Sequence, residues 1–189
     1  MDNRTKILGI AGSLRRDSYN RALLRAIADM APEGIKIEIY ELDNIPLYNQ
    51  DIDTPENMPE GVRDFKKKIK EADAILFVTP EYNRSIPGVL KNAIDWASRP
   101  YGDNSFDDKP VATIGATDGA LGTAVVQYHM REIFSFLNAH PMEKPQLFIS
   151  GISKKLVDGK VQDDELRKLL LLFMNNLATW AARINNGKA

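Results

Sequence analysis

A chain of 189 residues, 43% hydrophobic and 27% charged, is long enough to bury a core without disulfide or metal staples, and its composition excludes the disordered and membrane-spanning classes. Basic and acidic residues balance at 25 against 26, so no global field would hold nucleic acid or an anionic membrane, and any anionic ligand must be met by a local site. Cysteine is absent, which removes thiol redox chemistry, iron–sulfur ligation and disulfides, and with only His129 and His140 available a structural zinc site is not expected. Redox chemistry in such a chain would have to be carried by an organic cofactor.

The opening residues MDNRTK run into an apolar stretch too short for a secretory leader. No window approaches the roughly 20 apolar residues of a membrane helix, so a cytoplasmic location is the expectation. The apolar run Ile7 to Ala11 reads as a strand. A loop follows over residues 12–20, and then a helix with Leu23, Ala26, Ile27 and Met30 on one face. Ile35, Ile37 and Ile39 alternate with Lys36, Glu38 and Tyr40, the period of a strand with one buried face. From Asp43 to Pro59 the chain is rich in Asp, Asn and Pro without a period, which predicts a long surface loop.

Val62, Phe65 and Ile69 mark a second helix, and the uninterrupted apolar run from Ala74 predicts a central parallel strand ending at Thr79. After a loop over residues 80–86, Pro87 takes the first position of a helix striped by Leu90, Ala93, Ile94 and Ala97. Val111 to Ala116 forms another strand, residues 117–122 a loop, and Val126, Met130, Ile133, Phe134 and Leu137 a helical face. A fifth strand fits Leu147 to Ser150. The last helix places Leu166, Leu169, Leu170, Phe173, Leu177, Trp180 and Ile184 on one face, with Leu171, Leu172 and Met174 apolar off it, a pattern that suits packing against a partner subunit. Strands alternating with helices imply one doubly wound α/β domain over residues 1–189, with a five-stranded parallel sheet in the order 2-1-3-4-5. Ligands of such sheets bind beyond the carboxyl ends of the strands, where the loops at 12–20, 80–86 and 117–122 fall.

The first loop, Gly12-Ser13-Leu14-Arg15-Arg16-Asp17-Ser18-Tyr19-Asn20, opens a helix, where free N–H groups and the helix dipole favour an anion such as phosphate. Ser13, Ser18 and Asn20 could donate hydrogen bonds to it, and Arg15 a charge-assisted one. The same residues would serve if Ser18 or Asp17 simply capped the helix with both arginines solvated. The dinucleotide GxGxxG, the P-loop GxxxxGK[ST] and the GxSxG nucleophile elbow are all absent. Pro80-Glu81-Tyr82-Asn83-Arg84-Ser85-Ile86-Pro87-Gly88 is dense in groups that could border a flat polar heterocycle, although a plain strand-to-helix turn would use Pro87 in the same way. In the third loop, Gly119 and Gly122 could let backbone approach a ring or could serve turn geometry alone.

Three segments, GSLRRDSYN at 12–20, TPEYNRSIPGVLKNAIDWASRP at 79–100 and QYHMREIFSFLNA at 127–139, resemble the NAD(P)H-dependent FMN reductase family, in particular its chromate and quinone reductase branch. The likeness extends from the first strand to about Gly151 and implies a flavodoxin-like fold. It also implies that residues 13–20 hold the FMN phosphate, through Ser13, Leu14, Arg15, Ser18, Tyr19 and Asn20. Pro80, Glu81, Tyr82 and Asn83 would border the isoalloxazine ring, largely through backbone groups, and Thr117 would close its other side. Family members often carry an aromatic residue after PEYN where this chain has Arg84, a departure that favours an anionic nicotinamide phosphate or oxyanion.

The activity implied is hydride transfer from NADPH or NADH through FMN to a small-molecule acceptor such as a quinone, chromate, azo compound, free flavin or ferric complex. No side chain is needed as a general base, and His129 reads as a partly buried helical residue. Such reductases form homodimers or homotetramers, with Tyr82, Tyr128 and Arg131 at the subunit contact. Two other readings are a flavodoxin-type single-electron carrier, disfavoured by the near-neutral charge, and an interaction protein that has lost its cofactor.

Overall fold

Aliphatic side chains at alternate positions set the register of the sheet. In the computed structural model, which describes residues 4–187, β1 (Thr5–Ala11) lies between β2 (Ile35–Tyr40) and β3 (Ala74–Val78), with Ile7 opposite both Ile37 and Ala74. β4 (Pro110–Ala116) follows on the far side of β3, all parallel, and the order is 2-1-3-4-5. Side chains alternate between the faces of this sheet, so Ile7, Leu76 and Ile114 enter one apolar layer while Leu8, Ile75 and Val111 enter the other.

Five helices cover the two faces, as a buried parallel sheet requires. The first layer packs against α1 (Tyr19–Asp29) through Leu23, Leu24 and Ile27, and against α5 (Asp164–Asn186) through Leu166, Leu170, Phe173 and Leu177. The opposite layer takes α2 (Glu60–Glu71), α3 (Gly88–Ala97) and α4 (Ala124–Phe136). Phe77 of β3 stacks on Phe134 of α4 with ring centroids 4.9 Å apart, and Phe106 meets Phe134 edge-on at 5.5 Å. Pro87 stands one residue before α3 rather than at its first position.

The fifth strand departs from expectation. Two short segments, β5 (His140–Pro141) and β6 (Phe148–Ile149), pair with successive parts of β4 in place of one strand. Pro141 and Pro145 lack the N–H a continuous ladder would need, and an edge position tolerates the break. A hairpin absent from the sequence reading, β7 (Leu156–Val157) with β8 (Lys160–Val161), turns on Asp158 and Gly159, both at positive φ. On α5, Met174 is buried although off the expected face, while Leu169 and Leu172 are exposed. Residues 43–59 form the long loop expected, interrupted by a single turn of 3-10 helix at Gln50–Ile52, and they lie over α3: the Pro46 carbonyl accepts from Trp96 Nε1 at 2.8 Å and from Asn92 Nδ2 at 2.7 Å.

Candidate functional site

Paired strands deliver their loops side by side. The Gly12 N–H donates to the Val78 carbonyl at 3.0 Å, and the Thr79 N–H to the Ile114 carbonyl at 3.0 Å, so the chains leaving β1, β3 and β4 emerge together at the carboxyl end of the sheet. Glycine is required at position 12, because a Cβ there would stand 2.3 Å from Thr79 Oγ1 and 2.8 Å from Thr79 Cβ.

The loop after β1 closes on itself before α1 begins. The Ser18 N–H donates to the Arg15 carbonyl at 3.1 Å, the Arg15 N–H to Ser13 Oγ at 3.3 Å, and the Arg15 guanidinium to the Asp17 carbonyl. Ser18 caps α1, its Oγ accepting from the Arg21 N–H at 3.4 Å and its carbonyl from the Ala22 N–H at 3.0 Å. The N–H groups of Tyr19 and Asn20 precede any intrahelical acceptor and remain open, and no acidic residue stands in the first turn. Arg21 braces the loop, giving Nη1 to the Leu14 carbonyl at 3.0 Å and pairing Nη2 with Glu41 at 3.0 Å. Ser13 is buried, whereas Leu14 and Tyr19 are partly exposed.

Asn20 is used differently from the side-chain phosphate donor proposed from sequence. Its amide is buried against the end of β4, donating Nδ2 to the Ala116 carbonyl at 3.0 Å and accepting from the Ala116 N–H at 2.9 Å. What it offers an anion is its backbone N–H.

The loop after β3 is a tight reverse turn. Tyr82 and Ser85 exchange both backbone hydrogen bonds, at 3.1 and 2.9 Å, around Asn83 and Arg84 at φ of 52° and 61°, the geometry of a type I′ turn. The carboxylate of Glu81 reaches across to α4 and accepts from the N–H groups of Val125 at 3.0 Å and Val126 at 3.1 Å. That helix starts behind Thr123, at a φ of 66° with no side-chain cap of its own, so Glu81 supplies the missing acceptor from another loop. A second tie joins Ser85 Oγ to His129 Nδ1 at 3.1 Å. With its side chain so engaged, Glu81 is left with its backbone to offer a ligand, while Tyr82 is half-exposed at the rim.

Thr117 heads the loop after β4. Its N–H donates to the Ile149 carbonyl at 3.0 Å, and its Oγ1 accepts from the Gly119 N–H at 3.2 Å. Next to it, Asp118 Oδ1 accepts from the Ser153 N–H at 2.9 Å. Hydrogen bonds from Ser153, the backbone one foremost, hold the Asp118 carboxyl below the ordinary carboxylate range, and the Tyr19 hydroxyl adds to them across the gap between the first and third loops. Gly122, at a φ of 57°, lets this loop pass over β6, where a Cβ would meet the Phe148 carbonyl carbon at 2.4 Å.

Open helix N–H groups beside Arg15, with backbone edges at 80–83 and 117 near by, make a cradle for an elongated ligand with one anionic end and a flat polar body. FMN has that form, and Ser13, Arg15, Ser18 and the Tyr19 and Asn20 N–H groups suit its phosphate. Other clefts lie elsewhere, among them one of about 490 Å³ at the start of β1 beside Lys6, Lys36 and Lys68, and one of about 610 Å³ between α3 and α4.

Residues 5–154 match the family profile described as NADPH-dependent FMN reductase. The chain is 44% identical to a 2-hydroxy-1,4-benzoquinone reductase of a Burkholderia species, over 93% of this chain and 95% of that protein. It is likewise 44% identical to an NAD(P)H-dependent FMN reductase of Pseudomonas aeruginosa, over 97% of this chain and 99% of the relative. Among solved structures, a flavoenzyme NAD(P)H:(acceptor) oxidoreductase from Paracoccus denitrificans superposes with a TM-score of 0.88 at 34% identity, covering 95% of this chain and 98% of its own. A profile match spanning all three loops, together with relatives alike from end to end, establishes that this chain belongs to the NADPH-dependent FMN reductase family.

Proposed function

We propose that this chain is an FMN-dependent oxidoreductase that oxidises NADPH or NADH and reduces a small acceptor of the quinone class. The observation that carries the reading is the start of α1, where the Tyr19 and Asn20 N–H groups stand open with no carboxylate in the first turn. When bound, FMN supplies the redox chemistry, accepting hydride from the nicotinamide and returning it to the acceptor. The protein's part is positioning. Ser13, Arg15 and Ser18 join the two N–H groups around the phosphate, and Leu14 and Tyr19 line the approach. The backbone of Pro80, Glu81, Tyr82 and Asn83 borders one side of the ring, and Thr117 the other. Glu81 and Ser85 hold the middle loop to α4, so that it meets the ring in one conformation. Quinones are favoured as acceptors by the names of the relatives, while chromate, azo compounds, free flavin and ferric complexes suit a shallow flavin site.

The working form is a homodimer or homotetramer. Tyr82, Tyr128 and Phe136 are exposed along α4 and the loop beside it, an apolar band suited to a second copy, and Arg131 lies on the same helix. The proposed location is the cytoplasm; among the described residues no helix is long and apolar enough to cross a membrane. The test is the visible spectrum of the protein with FMN, before and after anaerobic NADPH and, separately, NADH. Bleaching of bound flavin by either nucleotide is the expected result. Bound flavin that neither bleaches would indicate an electron carrier, and no binding would overturn the cofactor assignment.

A further inference from the structure

Arginines in this fold are almost all engaged. Arg15, Arg21, Arg63 and Arg167 give guanidinium hydrogen bonds to backbone carbonyls, and the others are paired or stacked on rings, except for two. Among the described residues, Arg16 and Arg84 alone have no partner, and both stand on the loops that frame the proposed flavin site. Arg16 belongs to the phosphate loop already described. Arg84 is at the tip of the turn after β3, beside the backbone that borders the ring.

Turn chemistry does not account for an arginine there. The second central position of a type I′ turn favours glycine, and at a φ of 61° a long side chain is held in the sparsely populated left-handed region. The strain is maintained by the Tyr82–Ser85 pair, by Ser85 on His129 and by Glu81 on α4. Those ties also fix the backbone from which the guanidinium projects, so little backbone freedom is lost when it meets a ligand.

The reaction brings several kinds of anion to this end of the sheet, oxyanion acceptors such as chromate among them. The FMN phosphate is met at α1. The pyrophosphate is common to both nicotinamide nucleotides, and quinones carry no phosphate. The 2′-phosphate of NADPH is a monoester whose oxygens fit the five-donor fork of a guanidinium, and unlike an oxyanion acceptor it arrives with every turnover that NADPH drives. Resting on the reading of this site as an NAD(P)H-dependent flavin site, we propose that Arg84 anchors the 2′-phosphate of NADPH and makes the enzyme prefer NADPH to NADH.

The test compares the FMN-loaded wild type with Arg84→Gly and Arg84→Gln. Binding of adenosine 2′,5′-bisphosphate and of 5′-AMP is measured by calorimetry, beside kcat/KM for NADPH and for NADH. The wild type should bind the bisphosphate about tenfold more tightly than the monophosphate, a difference that shrinks as salt is added. Both variants should lose that difference and the NADPH preference while keeping FMN and NADH turnover. Arg84→Gly, which relieves the positive φ, should also melt at a higher temperature than the wild type, so that lost discrimination cannot be put down to misfolding. Unchanged discrimination in the variants overturns the proposal, as does an equal loss for both nucleotides, which would place the pyrophosphate at Arg84, or a change confined to the acceptor's KM. A wild type that takes up no FMN overturns the functional reading itself, whereas one that is loaded and reduced but indifferent to the 2′-phosphate overturns only the role of Arg84.

Discussion

Asn20 shows how one side chain can set the distance between two loops. Its buried amide exchanges both hydrogen bonds with Ala116, so the start of α1 is pinned to the end of β4. Replacing it with alanine strands a buried carbonyl and a buried N–H, at a cost of about 2–3 kcal/mol in urea unfolding, with weaker FMN binding because the phosphate cradle loosens. No local pattern reveals such a bond: Asn20 stands in a loop rich in polar residues, where a donor to ligand is the nearer reading, and its partner is 96 positions away. Tyr40 is a second residue whose setting was hidden. Burial, and then the neighbouring charge of Asp64, push its hydroxyl up from 10.0 to about 12, and it donates to the Gly61 carbonyl at 2.9 Å. A folded pKa above the unfolded one stabilises the fold fully below the unfolded value, and that contribution is lost as pH rises through the folded one. Stability should therefore fall between about pH 10 and 12. In Tyr40→Phe that part of the fall should be absent, and an ultraviolet titration of tyrosinate should lose its last-ionising component.

Elements too are joined by groups far apart in sequence. Lys66 of α2 is buried and donates to the carbonyls of Arg99 and Asp103, while its ammonium pairs with the Asp103 carboxylate at 3.0 Å. Partial burial pushes the Asp103 carboxyl up, but hydrogen bonds and charge from Lys70 and Lys66 outweigh it and hold the group below the ordinary range. Lys66→Met should cost about 2–3 kcal/mol in denaturant unfolding, because two carbonyls lose their donor as well as the ion pair. Part of that loss should vanish in strong acid, since a depressed carboxyl contributes fully above its unfolded pKa and loses its contribution as pH falls through the folded one. The amphipathic periods of α1 to α4 were legible because burial on one face imposes them directly. The split of the fifth strand was not, since β5 and β6 are too short to show a period and only their pairing with β4 defines them. The β7–β8 turn did carry a signal in Asp158-Gly159, but its arms are too brief to read as strands.

At the scale of the molecule, the sheet order followed from the alternation of strands and helices, and three loop positions followed from the sheet order. What covers the outer faces did not follow. Leu169 and Leu172 of α5 are exposed, as are Tyr101 and Phe136 at the groove between α3 and α4. Phe136 is 86% exposed, and if α4 meets a second copy, Phe136→Glu should lower the mass seen by light scattering from a multiple of 21.2 kDa towards a smaller one, with FMN still bound. An unchanged mass would remove this face from the interface. The carboxylate that Glu81 lends to α4 has an effect beyond anchoring a loop. α2 begins with Glu60 and α5 behind Asp163, so with Glu81 at α4 three helix starts are answered by negative charge, α3 opens behind Pro87, and α1 is closed only by a neutral hydroxyl. The mouth of the sheet thus has a compass direction: a long guest with a single charged end is drawn in with that end towards α1, and a guest entering the other way round would bring its charge against a carboxylate.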